Sequence, residues 1–193
     1  DFTADPAAAI GGLFQNDGQA RAADWAIFLL RYAVFASPQN SRFVSDVAAD
    51  NAVYRRELVA REEDLLRDGF WEPSFHARFR AQGYRLRLEP TLLVTHRNRY
   101  RVREFFGQRI AHGRRFGRDR AAKLAWPRRL GMLIAAPLLP LLFLRKIRRN
   151  ALDHPICAPH LAPASGWLLF FLCGWGCGEC LGYLDALRGR KAT

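Results

Sequence analysis

Polar and apolar positions along this chain change period several times, and each change marks an expected element. From Gln19 to Ser37, Trp25, Phe28, Leu29, Tyr32 and Phe35 keep one apolar face at the helical repeat, which predicts a core helix. Ahead of it, Ala7 to Gly12 (AAAIGG) reads as a short strand or a turn. Ser37 to Ser45, with Pro38, reads as a polar loop, Val47 to Tyr54 as a short strand and Glu57 to Asp68 as a helix. Tyr84, Leu86 and Leu88 alternate with Arg85 and Arg87, the period-two pattern of a strand with one wet face. Pro90 is expected to end that strand before Leu92-Leu93-Val94 leads to His96. Val102, Phe105, Phe106, Arg109, Ile110 and Gly113 then fit a helix, and His112 to Gly117 reads as a flexible basic loop.

Between these elements stands Gly69-Phe70-Trp71-Glu72-Pro73. Proline is favoured at the first helical position, so Pro73 predicts a helix start with Glu72 as its N-cap. Phe75 and Phe79 would face the core, and Gly83 falls where a left-handed cap belongs. A carboxylate at the positive end of a helix is held in its charged form. Glu72 is therefore either a candidate general base or an ordinary cap. The acidic run Glu62-Glu63-Asp64 reads as a solvated helix face, because consecutive helical side chains point in different directions.

The last third changes character. Leu130 to Leu144 (LGMLIAAPLLPLLFL) is fifteen uncharged residues with Pro137 and Pro140 inside, flanked by Arg128, Arg129, Arg145, Lys146, Arg148 and Arg149. A spanning helix needs about 20 apolar residues, so this run predicts a re-entrant or interfacial membrane segment. Ser165 to Leu187 is a second apolar stretch, with Gly174, Gly178 and Gly182 at the four-residue spacing that lets helices approach closely. Glu179 and Asp185 suit contact with protein or the interface rather than lipid. The basic Arg188-Gly189-Arg190-Lys191 suits a cytoplasmic side.

Composition narrows the partners. The net charge of +12, carried mainly by Arg, calls for an anionic partner: nucleic acid, a phosphate-bearing substrate or an acidic membrane surface. Nine Arg lie between Arg97 and Arg120 against Glu104 and Asp119. No nucleic-acid module signature accompanies them, and no nucleic acid is expected. Cys173, Cys177 and Cys180 have the C-x3-C-x2-C spacing of radical iron–sulfur enzymes, but no downstream chain could form the barrel. They read as buried residues of a packed helix. The four cysteines do not make a disulfide framework. The chain opens at Asp1 without Met, which is expected of a fragment or mature part of a longer protein.

Taken in order, Asp50-Asn51-Ala52-Val53-Tyr54-Arg55-Arg56, Gly69-Phe70-Trp71-Glu72, Arg80-Ala81-Gln82-Gly83, Glu89-Pro90 and His96 resemble the acceptor half of family 2 glycosyltransferases with the GT-A fold. The tail, with Gly107-Gln108-Arg109, His112-Gly113-Arg114 and Gly178-Glu179-x-x-Gly182-Tyr183, looks like the membrane-associated branch of that family. Where the family carries an E-D pair, this chain has Trp71-Glu72, and the opening DFTAD contains no D-x-D metal motif.

The resemblance implies an α/β chain: a partial GT-A, Rossmann-like domain over residues 1–120, then a membrane-associated helical hairpin over 121–193. It implies an inverting transfer of sugar from a nucleotide-sugar donor to a hydroxyl on a glycan or lipid-linked acceptor, at the cytoplasmic face of the cell's inner membrane. Glu72 would be the base. Trp71 would offer an apolar platform for a sugar, or else fill the core, and Asn51 would contact sugar hydroxyls, or else satisfy a turn. Arg109, Arg114 and Arg115 would clamp a diphosphate or lipid phosphate, or else form a solvated basic face. A divalent cation, Mg or Mn, is implied, with His96 approaching it and its main ligands absent, so this chain alone is expected to be inactive. The competing reading is a non-enzymatic basic module that docks on anionic lipid.

Overall fold

The computed structural model describes residues 7–17, 19–67, 69–97 and 99–188. They form an α/β chain of two compact units, one made of residues 7–17 and 34–96, the other of 19–33 and 97–188. The division falls after His96 rather than at residue 120, and the first helix belongs with the C-terminal ones. The opening DFTAD phrase and the basic residues after Arg188 lie outside the described residues.

The first unit is built on a four-stranded mixed sheet in the order β2-β4-β1-β3. Its strands are β1 (Ala7–Asn16), β2 (Arg42–Val44), β3 (Ala52–Tyr54) and β4 (Arg85–His96). β1 and β4 are parallel at the centre, and β3 and β2 flank them antiparallel. The AAAIGG phrase thus belongs to a buried central strand ten residues long. Its small residues are required there: a Cβ on Gly11 would meet Val47 at 2.5 Å, and one on Gly12 would meet the Leu92 carbonyl oxygen at 2.0 Å. Ser37–Ser45 is not wholly a loop, since Arg42–Val44 pairs with β4 as the edge strand β2.

Pro90 does not end β4. The strand runs through it by a bulge: Gly12 pairs with Glu89 and Leu13 with Leu93, so Pro90, Thr91 and Leu92 are extra residues on the β4 side. A proline has no N–H to give the ladder, and a bulge is where a sheet can accept one. The interruption leaves carbonyls without their regular partners, and Asn51 supplies the donors. Its Nδ2 donates to the Leu13 oxygen at 3.1 Å and to the Leu92 oxygen at 3.0 Å. Asn51→Ala is expected to cost about 1–3 kcal/mol, as expected for stranding acceptors in a packed sheet, read by chemical denaturation. Asn51→Asp, which sets a carboxylate against two carbonyls, should cost more.

Three helices complete this unit: α2 (Arg56–Ala60), α3 (Glu63–Leu66) and α4 (Glu72–Ala81). The expected single helix over 57–68 is broken after Ala60, with Glu62 non-helical between α2 and α3. Glu62 is not solvated, as the acidic run suggested. It is buried and accepts hydrogen bonds from Arg78 Nη1 and Gln82 Nε2, each at 2.7 Å, while Arg78 also reaches Asp64 at 2.9 Å. The run is a tether onto α4. Phe75 and Phe79 pack in the core with Ala8, Ala9, Val47, Leu58 and Leu86, each ring contributing about 1.5–3 kcal/mol by burial. α4 closes with Gly83 at φ +86°, the Gly83 N–H bonded to Arg80 and the Tyr84 N–H to Phe79, the paired bonds of a left-handed cap.

The second unit is helical: α1 (Ala22–Tyr32), α5 (Val102–Ala122), α6 (Trp126–Ala135), α7 (Leu139–Leu152) and α8 (Ala158–Leu187). α8 is its axis, packed against α1, α5, α6 and α7. The basic stretch His112–Gly117 is not a loop but the middle of α5. Gly113 and Gly117 of α5 face Gly178, Glu179 and Gly182 of α8. A Cβ on Gly113 would lie 2.3 Å from the Trp175 carbonyl oxygen, and one on Gly182 would lie 2.4 Å from that of Arg114. Glycines that weaken an isolated helix allow two backbones to meet here, and that packing overrides local propensity. Phe105 meets Phe171 edge-on and Phe106 stacks on Phe170, with ring centres 4.9 and 4.4 Å apart. Trp25 of α1 stacks on His160 at 3.6 Å.

Neither Pro137 nor Pro140 turns the apolar run back on itself. Residues 136–138 form a 3-10 turn, and Trp126–Leu152 continues as one helical stretch of 27 residues. It and α8 are both long and apolar enough to cross a membrane. They differ in what covers them. Ile134, Leu138, Leu141 and Leu142 stand exposed along Trp126–Leu152, whereas half of α8's most apolar window is buried within the protein.

Candidate functional site

Glu72 enters the first turn of α4 as its first residue, with Trp71 in the N-cap position at φ −106° and ψ 93°. The expected cap is displaced by one: Pro73 takes the second helical position, where its missing N–H is equally harmless. The electrostatic consequence stands, because the first turn still places the half-buried Glu72 carboxylate at the positive helix end.

Helical spacing puts Glu72, His76 and Arg80 in one row on α4, and that row meets β3 and the segment after β2. His76 is buried, with Nε2 2.9 Å from the Tyr54 hydroxyl and Nδ1 3.2 Å from Asp46 Oδ1. Arg80 Nη1 lies 3.4 Å from the same Asp46 oxygen and donates to the Ser45 carbonyl. The tautomer that satisfies both ends donates the Nδ1 hydrogen to Asp46 and accepts the Tyr54 phenol hydrogen at Nε2. A polar chain, Asp46–His76–Tyr54, therefore runs from solvent into the sheet edge.

The hydrogen bond from His76 holds the Asp46 carboxyl down at about 2; partial burial works against it, and the Ser45 hydrogen bond and the Arg80 charge add to it. Tyr54 is pushed up, first by burial and then by the negative charges of Glu72 and Asp46, so its phenol stays protonated and Glu72 lies within electrostatic reach of it. Asp46 has a lower pKa folded than unfolded. Its contribution to stability is present above the unfolded value of about 3.9 and is lost as pH falls through the folded one. Asp46→Asn is thus expected to be less stable than wild type at neutral pH, the gap closing from about pH 4 downward. Urea midpoints measured across that range check it.

The other sequence candidates are placed separately. Asn51 spends both amide hydrogens on backbone carbonyls at the bulge, the structural alternative for that residue. His96 is buried at the end of β4, with its carbonyl accepting from the Asp17 N–H. Among the described residues no group of three or more His, Cys, Asp or Glu side chains is placed to hold a metal ion. No step of the reaction proposed below passes through a cation.

The basic candidates belong to the second unit, and they divide. Arg114 is committed to Asp185 through a two-pronged pair, Nε–Oδ2 at 2.6 Å and Nη2–Oδ1 at 3.0 Å. Arg109 is buried and bonded to His112, and Arg115 adds its positive charge beside them. Glu179 and Asp185 face protein, as their position in an apolar stretch requires. Glu179 is fully buried, accepting from Trp175 Nε1 at 2.6 Å and the Tyr183 hydroxyl at 2.9 Å, with Arg120 at 3.5 Å. Cys173 and Cys177 are exposed on α8, not buried as the packed-helix reading had it.

Asp46 and His76 were not singled out by sequence. The four-residue ladder Glu72, His76, Arg80 was a usable signal for His76. Asp46 carries no local signal, because only tertiary contacts give it a partner. The chain matches no family model, no curated protein and no solved structure.

Proposed function

We propose that this chain is the acceptor-side part of a membrane-associated inverting glycosyltransferase, with Glu72 as general base. The observation that carries the reading is the half-buried carboxylate at the start of α4, within reach of the protonated Tyr54 at the end of the Asp46–His76 chain. Glu72 would take the proton of an acceptor hydroxyl as that oxygen attacks the anomeric carbon of a nucleotide sugar. The helix terminus keeps the carboxylate ionised and ready to accept, and Tyr54 offers a hydroxyl beside it for a sugar. Trp71, next in sequence, is the candidate sugar platform. GT-A topology, the nucleotide-sugar donor and a glycan or lipid-linked acceptor follow from the motif order and belong to the same proposal.

Membrane association rests on the exposed apolar stretch Trp126–Leu152, bounded by Arg128 and Arg129 at one end and Arg145 to Arg149 at the other. The basic flanks favour a cytoplasmic-membrane surface with the catalytic part on the cytoplasmic side. The same observation favours a second reading, a basic module that docks on anionic lipid without catalysing anything.

One experiment separates them: sugar transfer by the protein expressed from its whole reading frame, wild type against Glu72→Gln, with liposome flotation in parallel. Loss of transfer with flotation intact supports the enzyme. Transfer that survives the substitution removes Glu72 as base, and flotation without transfer in the wild type leaves the docking module.

A further inference from the structure

α8 and the Trp126–Leu152 stretch each have the length and composition of a membrane span, and the helices around them decide whether they can cross. α8 has three sides. Gly174, Gly178 and Gly182 meet α5: a Cβ on each would lie 2.9 Å from the Phe106 ring, 2.2 Å from the Ile110 oxygen and 2.4 Å from the Arg114 oxygen. Gly176 meets Pro140, whose ring would lie 3.1 Å from a Cβ there, and Cys180 and Tyr183 pack with Ala136 and Leu139. At 3.6 residues per turn these two sets point in nearly opposite directions, so α8 is a middle layer between α5 and the apolar stretch. The third side, with Gly166, Phe170, Cys173, Cys177 and Leu181, lies between them, exposed and without charge.

α5 accompanies α8 through its apolar part. Phe105 meets Phe171, Gly113 meets Gly178, and Ala121 packs with Tyr183. The outer side of α5 is charged, with Arg103, Glu104, Arg114 and Asp119 all exposed. An α8 standing upright in a bilayer would carry those groups into the hydrocarbon beside it, where each charge is costly. Lying flat avoids that cost, because α5 then faces water while the other side of the layer faces lipid. That other side is apolar: Leu130, Ile134, Leu138, Leu141 and Leu142 stand exposed along the Trp126–Leu152 stretch. Arg128, Arg145, Lys146, Arg148 and Arg149 are exposed at its two ends. The fifteen uncharged residues between those ends fall short of the about 20 that a crossing needs, so both basic ends suit the phosphates of one leaflet.

We infer that neither long apolar helix crosses the bilayer: the helical unit lies flat on one leaflet of an anionic membrane, with α5 toward water. Two surfaces seat it, the Leu130–Leu142 stripe and the exposed side of α8 from Gly166 to Leu181. Both ends of α8 are then on the same side of the membrane, and Cys173 and Cys177 lie against lipid. The inference rests on the membrane association proposed above, uses the second unit alone, and stands whether or not Glu72 is a base.

The test adds the full chain to sealed, preformed liposomes of phosphatidylcholine and phosphatidylglycerol, then a membrane-impermeant maleimide, with each thiol followed by mass spectrometry. Asp153→Cys and Arg188→Cys place thiols at exposed positions before and after α8. A flat unit gives full modification of both from outside. Protection of either one until the liposomes are opened with detergent marks a crossing and overturns the inference. In the same samples, Cys173 and Cys177 should react at least about tenfold more slowly than the thiol introduced by Arg188→Cys, because lipid disfavours the thiolate. Equal rates would mean that this side of α8 does not face lipid, and would overturn it too. Flotation with phosphatidylcholine alone should be at least about tenfold weaker than with phosphatidylglycerol present. Failure to float with either lipid removes the membrane association itself, a result distinct from a crossing.

Discussion

If the proposed transfer reaction holds, replacing Glu72 by Gln is expected to lower its turnover by about 10²–10⁴-fold, the usual contribution of a positioned general base. Gln keeps the size and hydrogen-bonding reach of the side chain but cannot take a proton. The loss should therefore fall on kcat, with KM for both substrates little changed. Fold stability should barely move, because Glu72 is half-buried in the first turn of α4 and not part of the core around Phe75 and Phe79. If turnover and stability fall together, Glu72 supports the helix start and the base lies elsewhere. Steady-state kinetics and denaturation on the same preparation decide it.

The second large effect concerns stability. Gly178→Ala is expected to destabilise the helical unit by about 1–3 kcal/mol, typical of inserting a methyl group into a closed interface. A Cβ at position 178 would sit 2.2 Å from the Ile110 carbonyl oxygen and 2.9 Å from the Arg114 nitrogen. Both are backbone atoms of α5 and have no rotamer to change. The helices must separate, which loosens the Gly113 and Gly182 contacts as well. Gly166→Ala, on the same α8, has nothing within 4 Å of the new Cβ and should instead gain up to about 1 kcal/mol of helix propensity. Opposite signs for two identical substitutions on one helix, read by thermal unfolding in mild detergent, would locate the α5–α8 contact. Equal signs would refute it.

These two residues also show how far the chain could be read before folding. Periodicity alone placed α1 and α4, the Gly83 cap and the two long apolar stretches, because each depends on neighbours one or two turns away. The four-residue glycine repeat announced a close helix contact, and the two acids within that stretch had to face protein. Composition, with its excess of Arg, raised the expectation of an anionic partner.

What periodicity could not supply was anything settled by a distant residue. His112–Gly117 has the glycine content of a loop, and only the backbone of α8 against it makes that stretch helical. Pro90 ends a strand in any local reading, yet the Asn51 amide compensates the bulge that carries the strand past it. Arg109 and Arg114 lie five residues apart with the same side chain. Tertiary structure gave Arg114 the Asp185 carboxylate and buried Arg109 against His112, with no carboxylate in ion-pair range among the described residues. The sequence by itself determined where charge and apolar surface would be; the fold decided which charges were neutralised, because ion pairing depends on separations in space.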